Sequence, residues 1–241
     1  MFFGFWSILS SIEGDFQWAC YFVIFGGLCD ALDGKVARLV NSTSDFGVEF
    51  DSLSDLITFG AAPSILIYML YKTNYVLQPG FQDLNSLFFL FAFLPLLFTG
   101  IRLARFNAEL VGHTKDFFSG LPSPASAITI IAFVLFEYAW YDHVVHFNYL
   151  TITALTVSYL MVSRLKYTGM PMVFKKGERF IFRYLKILSV MLLIVAIIAF
   201  KMWLLFPLMV LFIFAGIVNS VLEKLKKAEQ GLCKDSDCED D

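Results

Sequence analysis

The sequence predicts an all-α integral membrane protein, a bundle of about eight transmembrane helices. Three observations carry that expectation. Hydrophobic residues make up 58% of the chain and charged ones only 16%, whereas a soluble domain is closer to about a quarter charged. The apolar residues fall into runs of the length a bilayer demands, ~20 residues for a helix. The basic residues gather in alternate connections between those runs, as cytoplasmic loops do.

The first apolar segment, residues 2–12, is short. The chain opens on Met1-Phe2-Phe3-Gly4-Phe5-Trp6 with no basic stretch ahead of it. It reads as starting partway through a first membrane helix, not as a cleavable signal peptide. The further segments run 16–38, 46–71, 86–106, 122–142, 147–167, 184–201 and 203–222, the last two joined by a tight hairpin at Lys201-Met202-Trp203. Of the 18 basic residues, all but Lys72 and Lys201 lie in the connections after even-numbered segments or in the tail. Both termini are therefore expected in the cytoplasm. Residues 1–225 read as one membrane domain, and 226–241 as a disordered acidic cytoplasmic tail. No basic surface of the kind that tracks a phosphate backbone is present, so nucleic acid is not an expected partner.

The second and third segments break the rule that lipid excludes charge. One carries Asp30 and Asp33, the other Asp51 and Asp55, and an Asp at the bilayer centre costs ~2.5–3.5 kcal/mol on insertion scales. Asp30, Asp33, Gly34, Ala37 and Arg38 fall at i, i+3, i+4, i+7 and i+8, on one helix face; Gly47, Asp51 and Asp55 repeat every four residues on another. The link between them holds Ser44 and Asp45, either able to cap the next helix. The two helices can then pair antiparallel with their acids facing. Four carboxylates in one low-dielectric pocket either protonate in part or hold cations between them. An all-oxygen set points to Mg²⁺ or Mn²⁺, with Ca²⁺ a further option, and two ions ~3.5–4 Å apart can clamp a phosphoryl group under attack. Gly34, Ala37 and Gly47 leave room for a nucleotide or a close helix approach, and Arg38 can reach a phosphate.

The pattern D-x2-D-G-x2-A-R-x8-G-x3-D-x3-D, from Asp30 to Asp55, resembles the signature of the CDP-alcohol phosphatidyltransferase family without a departure. That resemblance implies Asp30, Asp33 and Asp51 as metal ligands, and Asp55 as completing the site and acting as general base. It implies CDP contacts from Asp30, Gly34, Ala37, Arg38, Gly47 and Ser44. It also implies a homodimer in the cell membrane, a bacterial inner membrane, with the site open to the cytoplasm. Three flanking stretches are similar to the serine-using branch of many bacteria and archaea: DSLSDLITFGAAPS at 51–64, RLARFN at 102–107 and GLPSPA at 120–125. The implied reaction takes CDP-diacylglycerol and L-serine to phosphatidylserine and CMP. Serine carries a carboxylate, and Arg102 and Arg105 are the natural partners for it, with Asn107 and Ser123 beside them. Family members use other acceptors as well (glycerol phosphate, inositol phosphate, choline). A non-enzymatic cation-binding or transport protein is the reading from a different class.

Plainer roles compete for some of these residues. Arg102 and Arg105 can serve as positive-inside anchors whose heads reach the membrane edge. Gly120-Leu-Pro-Ser-Pro can simply start a helix. Glu49 points away from the Asp51 face and is expected to be exposed or paired. His113, His143 and His146 are not expected to bind metal, and Cys233 and Cys238 read as free thiols. The run Lys175-Lys176-Gly-Glu-Arg179 suits anionic membrane lipids or ordinary cytoplasmic charge.

Overall fold

The computed structural model describes residues 1–40, 45–76, 85–111, 120–163, 165 and 203–236. Ser44, His113, the 175–179 basic run and the 184–201 segment lie outside the described residues, as do the side chains of Ala37 and Arg38. The described residues are helical throughout, with short connections and no strand. The all-α expectation holds. Four helices are long and apolar enough to cross a bilayer: Phe46–Asn74, Phe89–Ala108, Ser123–Tyr141 and Leu205–Leu222.

Helix α1 (Phe2–Glu13) ends at Gly14, whose φ of 90° lets its N–H reach Ser10 and Ser11 carbonyls. Two residues later α2 (Phe16–Val40) begins, so the pair folds back on itself. The α1 residues that face inward are small: Gly4, Ser7, Ser10 and Ser11. Small side chains let membrane helices approach closely, and Ser7 Oγ donates to the Ala19 carbonyl across the gap at 2.8 Å.

The apolar run at 46–71, expected as one regular helix, is a helix with a defect. Helix α3 (Asp45–Asp55) passes into a π-helical turn at Leu56–Ala61, then α4 (Ala62–Tyr71), then a second π turn at Lys72–Val76. Pro63 explains the first interruption, since it brings no N–H to the ladder. The Ala62 N–H bonds back to Ile57, five residues earlier, which is the π pattern.

Helix α5 (Asn85–Val111) carries Pro95 in its interior. Beside it, the Leu96 N–H donates to Ser64 Oγ of α4 at 3.0 Å, and Thr99 Oγ1 donates to the Pro95 carbonyl at 2.7 Å. Helix α6 (Ser123–Tyr141) is the central element, packed on α2 and on the two helices that follow it, α7 (Phe147–Val162) and α8 (Leu205–Ser236). Helix α7 (Phe147–Val162) stops short of the expected 167 among the described residues, because Ser163 turns to an extended backbone. The carbonyls of Leu160 and Leu165 then accept the N–H groups of Leu121 and Gly120, at 3.0 and 2.8 Å.

Helix α8 (Leu205–Ser236) has a helical backbone through the described part of the stretch expected as a tail. The stretch 223–229 is built of strong helix formers. The core gathers Leu66, Ile67 and Leu70 of α4 with Ile130, Ile131 and Val134 of α6. Large apolar side chains such as Phe2, Trp18, Leu28 and Phe214 stay exposed, while Ser7, Thr99, Ser126 and Thr129 are buried. That inversion suits a lipid solvent.

Candidate metal and phosphoryl-transfer site

Asp30 projects from α2, and Asp51 and Asp55 from α3. One oxygen of each lies within 4.8 Å of the others. The helices run antiparallel here: Gly26 meets Thr58, while Asp30, one turn on, meets Asp55 and Asp51, further back in the chain. Helix periodicity accounts for the convergence, as Asp51 and Asp55 are one turn apart. Asp30 and Asp55 are half-buried and Asp51 is exposed.

The three form one wall of a cavity of about 430 Å³, shared with Asp33, Gly34 and Gly47. Asp33 is exposed and lines this cavity outside the close trio. The sequence expectation of four clustered acids therefore resolves into three that converge and one beside them.

The donor set fits a hard divalent cation. Oxygens on opposite sides of one Mg²⁺ or Ca²⁺ are about 4–5 Å apart, from bond lengths of about 2.0–2.6 Å. The trio meets that span with carboxylate oxygens alone. An uncompensated trio would be repulsive at this separation and in this setting.

The four residues expected around an acceptor separate. Arg102 is half-buried, and its Nη1 donates to Ser123 Oγ at 3.0 Å. Gly120 sets Ser123 in place: at φ 101° it tucks against α7 so tightly that a Cβ would lie 2.2 Å from the Met161 carbonyl oxygen. Pro122 then caps α6, as the helix-start reading of this motif expects. Arg105 is exposed. Asn107 turns to α3 instead, donating to Glu49 Oε2 at 3.2 Å, with Ser52 Oγ also 3.2 Å from its amide. Glu49 is thus both exposed and paired. None of the four is among the described residues lining the acid cavity.

Sequence reasoning passed over Gly26 and Thr58, which also line the cavity. The spacing held a signal for both: Gly26 is four before Asp30, and Thr58 three after Asp55.

The chain matches the CDP-alcohol phosphatidyltransferase family over residues 1–160. It is 39% identical over 137 residues to a CDP-diacylglycerol–serine O-phosphatidyltransferase of Helicobacter pylori, covering 57% of this chain and 54% of the relative. It is 41% identical over 134 residues to an archaetidylserine synthase of Methanothermobacter thermautotrophicus, covering 55% and 52%. A CDP-diacylglycerol–serine O-phosphatidyltransferase of Saccharomyces cerevisiae is 36% identical over 142 residues, covering 53% and 48%. The chain spans about half the length of the curated relatives it matches.

Proposed function

The chain belongs to the CDP-alcohol phosphatidyltransferase family, and from that premise we propose that this multi-pass membrane protein transfers the phosphatidyl group of CDP-diacylglycerol to L-serine, releasing CMP. The observation that carries the reading is the meeting of Asp30, Asp51 and Asp55 within 4.8 Å on a cavity wall. The choice of serine draws on the relatives, whose names specify serine or an archaetidylserine product.

In this reading Asp30, Asp33 and Asp51 hold divalent metal, Mg²⁺ or Mn²⁺, and Asp55 completes the metal site. When bound, the metal offsets charge on the phosphate oxygens and on leaving CMP. Asp55 takes the proton of the serine hydroxyl. The serine oxygen then forms a bond to the phosphorus bearing diacylglycerol, and the bond from that phosphorus to the CMP oxygen breaks. Gly34, Gly47, Ala37 and Arg38 contact the CDP moiety. Arg102, held by Ser123, receives the serine carboxylate. That arrangement brings the acceptor hydroxyl to the base. The site opens to the cytoplasm, where serine is supplied, and the protein works as a homodimer in the cell membrane.

The test is incorporation of labelled serine into lipid by membranes carrying the protein, with Mg²⁺ or Mn²⁺. The expected result is CMP release that depends on serine and on metal, and that falls ~10²–10⁴-fold in Asp55→Asn, the range for loss of a general base. CMP release with glycerol phosphate or inositol phosphate but not serine would reassign the acceptor. Metal flux without CMP release would overturn the enzyme.

A further inference from the structure

Three glycines make close contact at one short stretch of backbone, the π turn Leu56–Ala61 that follows Asp55. A Cβ built on Gly4 of α1 would lie 2.7 Å from Thr58 Oγ1 and 2.8 Å from Thr58 Cα. One built on Gly26 of α2 would lie 2.6 Å from Thr58 Cγ2. One built on Gly60, inside the turn, would lie 3.2 Å from Leu96 Cδ1 and from Thr99 Cβ of α5. Non-bonded carbons rest at about 3.5–4.0 Å, so a methyl at position 4 must displace a helix or the turn, and one at position 26 must push the β-branched Thr58 side chain, and the turn that carries it, away from α2. Thr58 is buried, 3% exposed, and shares the cavity wall with Gly26, Asp30 and Asp55.

The spacing ties this contact to the acids. Gly26 precedes Asp30 by one turn of α2, and Thr58 follows Asp55 by just under one turn. The Gly26–Thr58 contact is therefore the packing layer directly beneath the Asp30–Asp55 layer. Asp30 and Asp55 sit on different helices, and their separation is set by how closely those helices approach.

We propose that Thr58, clamped between Gly4 and Gly26, is a positioning residue that fixes the distance between Asp30 and Asp55 and hence the span of the metal site. The inference rests on the reading of that cluster as a metal site in the proposed reaction. Metal–ligand distances tolerate only about ±0.2 Å, whereas relieving a 2.6 Å contact moves the layer by about 1 Å. The atom Gly26 would strike is the Thr58 methyl, which Thr58→Ser removes while keeping the hydroxyl. Gly4 would strike the Thr58 backbone, which no change of side chain relieves. Gly27, the next residue, has ordinary room, with a built Cβ 3.5 Å from Phe59 Cε1.

The test uses the full chain in detergent and reads Mn²⁺ affinity by calorimetry beside serine-dependent CMP release, with a thermal unfolding midpoint for each variant. Gly26→Ala is expected to weaken Mn²⁺ binding roughly tenfold or more, the usual loss when a residue supporting metal ligands is changed, and to lower kcat. Adding Thr58→Ser should return both to within about threefold of wild type, a non-additive cycle that marks direct contact. The same Thr58→Ser should not rescue Gly4→Ala, and Gly27→Ala should match wild type. Wild-type Mn²⁺ affinity in Gly26→Ala, or a loss that persists in the Gly26→Ala, Thr58→Ser pair, overturns the inference. Should Gly26→Ala alone not fold, the paired variant decides by the same measure. A wild-type protein that binds Mn²⁺ but releases no CMP overturns the proposed reaction and leaves the Mn²⁺ comparison standing.

Discussion

Arg102 and Asn107 lie five positions apart on α5 and do different work. Each residue turns an α-helix by 100°, so five positions place them roughly 140° apart around the axis. Arg102 reaches Ser123, while Asn107 reaches Glu49 and Ser52. The sequence grouped them because a run of polar residues in an apolar helix reads as one cluster, and run length hides direction. The acids fared better, since their i+3 and i+4 spacing states the direction outright. Arg102→Lys is expected to raise the KM for serine by roughly tenfold to a hundredfold, the effect of losing ~1.5–3 kcal/mol from a charge-assisted hydrogen bond. Mn²⁺ affinity should stay at the wild-type value, because Lys keeps the charge but not the planar fork. Asn107→Ala should leave the serine KM unchanged. Steady-state kinetics with serine varied at saturating CDP-diacylglycerol separate the two residues, and equal KM values in both variants would remove Arg102 from the acceptor site.

Helices were legible as apolar runs, but their defects were not. The 46–71 run contains Pro63, yet proline is tolerated in the first turn of a helix and does not by itself announce a π turn. The turn becomes intelligible only with its neighbours in place: Thr58 under Gly4 and Gly26, and Gly60 against Thr99. Likewise the end of α7 at Val162 follows from a tertiary pairing. The backbone beyond it supplies a carbonyl to Gly120, and no local sequence signal predicts that. Gly120 is the hinge of this junction. Its φ of 101° is open to glycine and costs other residues about 1–3 kcal/mol, and a Cβ would also overlap the Met161 carbonyl. Gly120→Ala should therefore lower stability by about 3 kcal/mol or more, seen as a depressed thermal midpoint in detergent. Because Ser123 is carried by the same junction, the serine KM of the remaining folded protein should rise as it does in Arg102→Lys. A fall in midpoint with an unchanged serine KM would separate the junction from the acceptor site.

At the scale of the whole molecule, α6 connects two polar ends. Its residues from Ser123 to Tyr141 give about 28 Å at 1.5 Å per residue, close to the ~30 Å hydrocarbon core. Ser123 at one end meets Arg102. Near the other end, Glu137 is only 3% exposed. Its Oε2 accepts the N–H groups of Val145 and His146 at 3.0 Å, and His146 Nδ1 lies 3.1 Å from both its oxygens. This carboxylate satisfies the N–H groups of the α7 N-cap residue and of the residue before it, and its charge suits the positive end of that helix. The helical class was legible from composition, and four helices among the described residues are long and apolar enough to cross a bilayer. Helix α2 is 25 residues long but is absent from the four apolar spans found among the described residues, because Asp30 and Asp33 lower its hydropathy. Orientation follows from α6 directly. If Ser123 and the acids face the cytoplasm, His143, exposed in the turn between α6 and α7, faces the opposite side. His143→Cys should react with a membrane-impermeant maleimide in intact cells, above the background of the native cysteines. An additional cysteine at Phe46, exposed at the acid end of α3, should react only after permeabilisation. Labelling of Phe46→Cys in intact cells, with His143→Cys protected, would invert the protein in the membrane and place the acid cavity on the side away from the cytoplasmic serine supply.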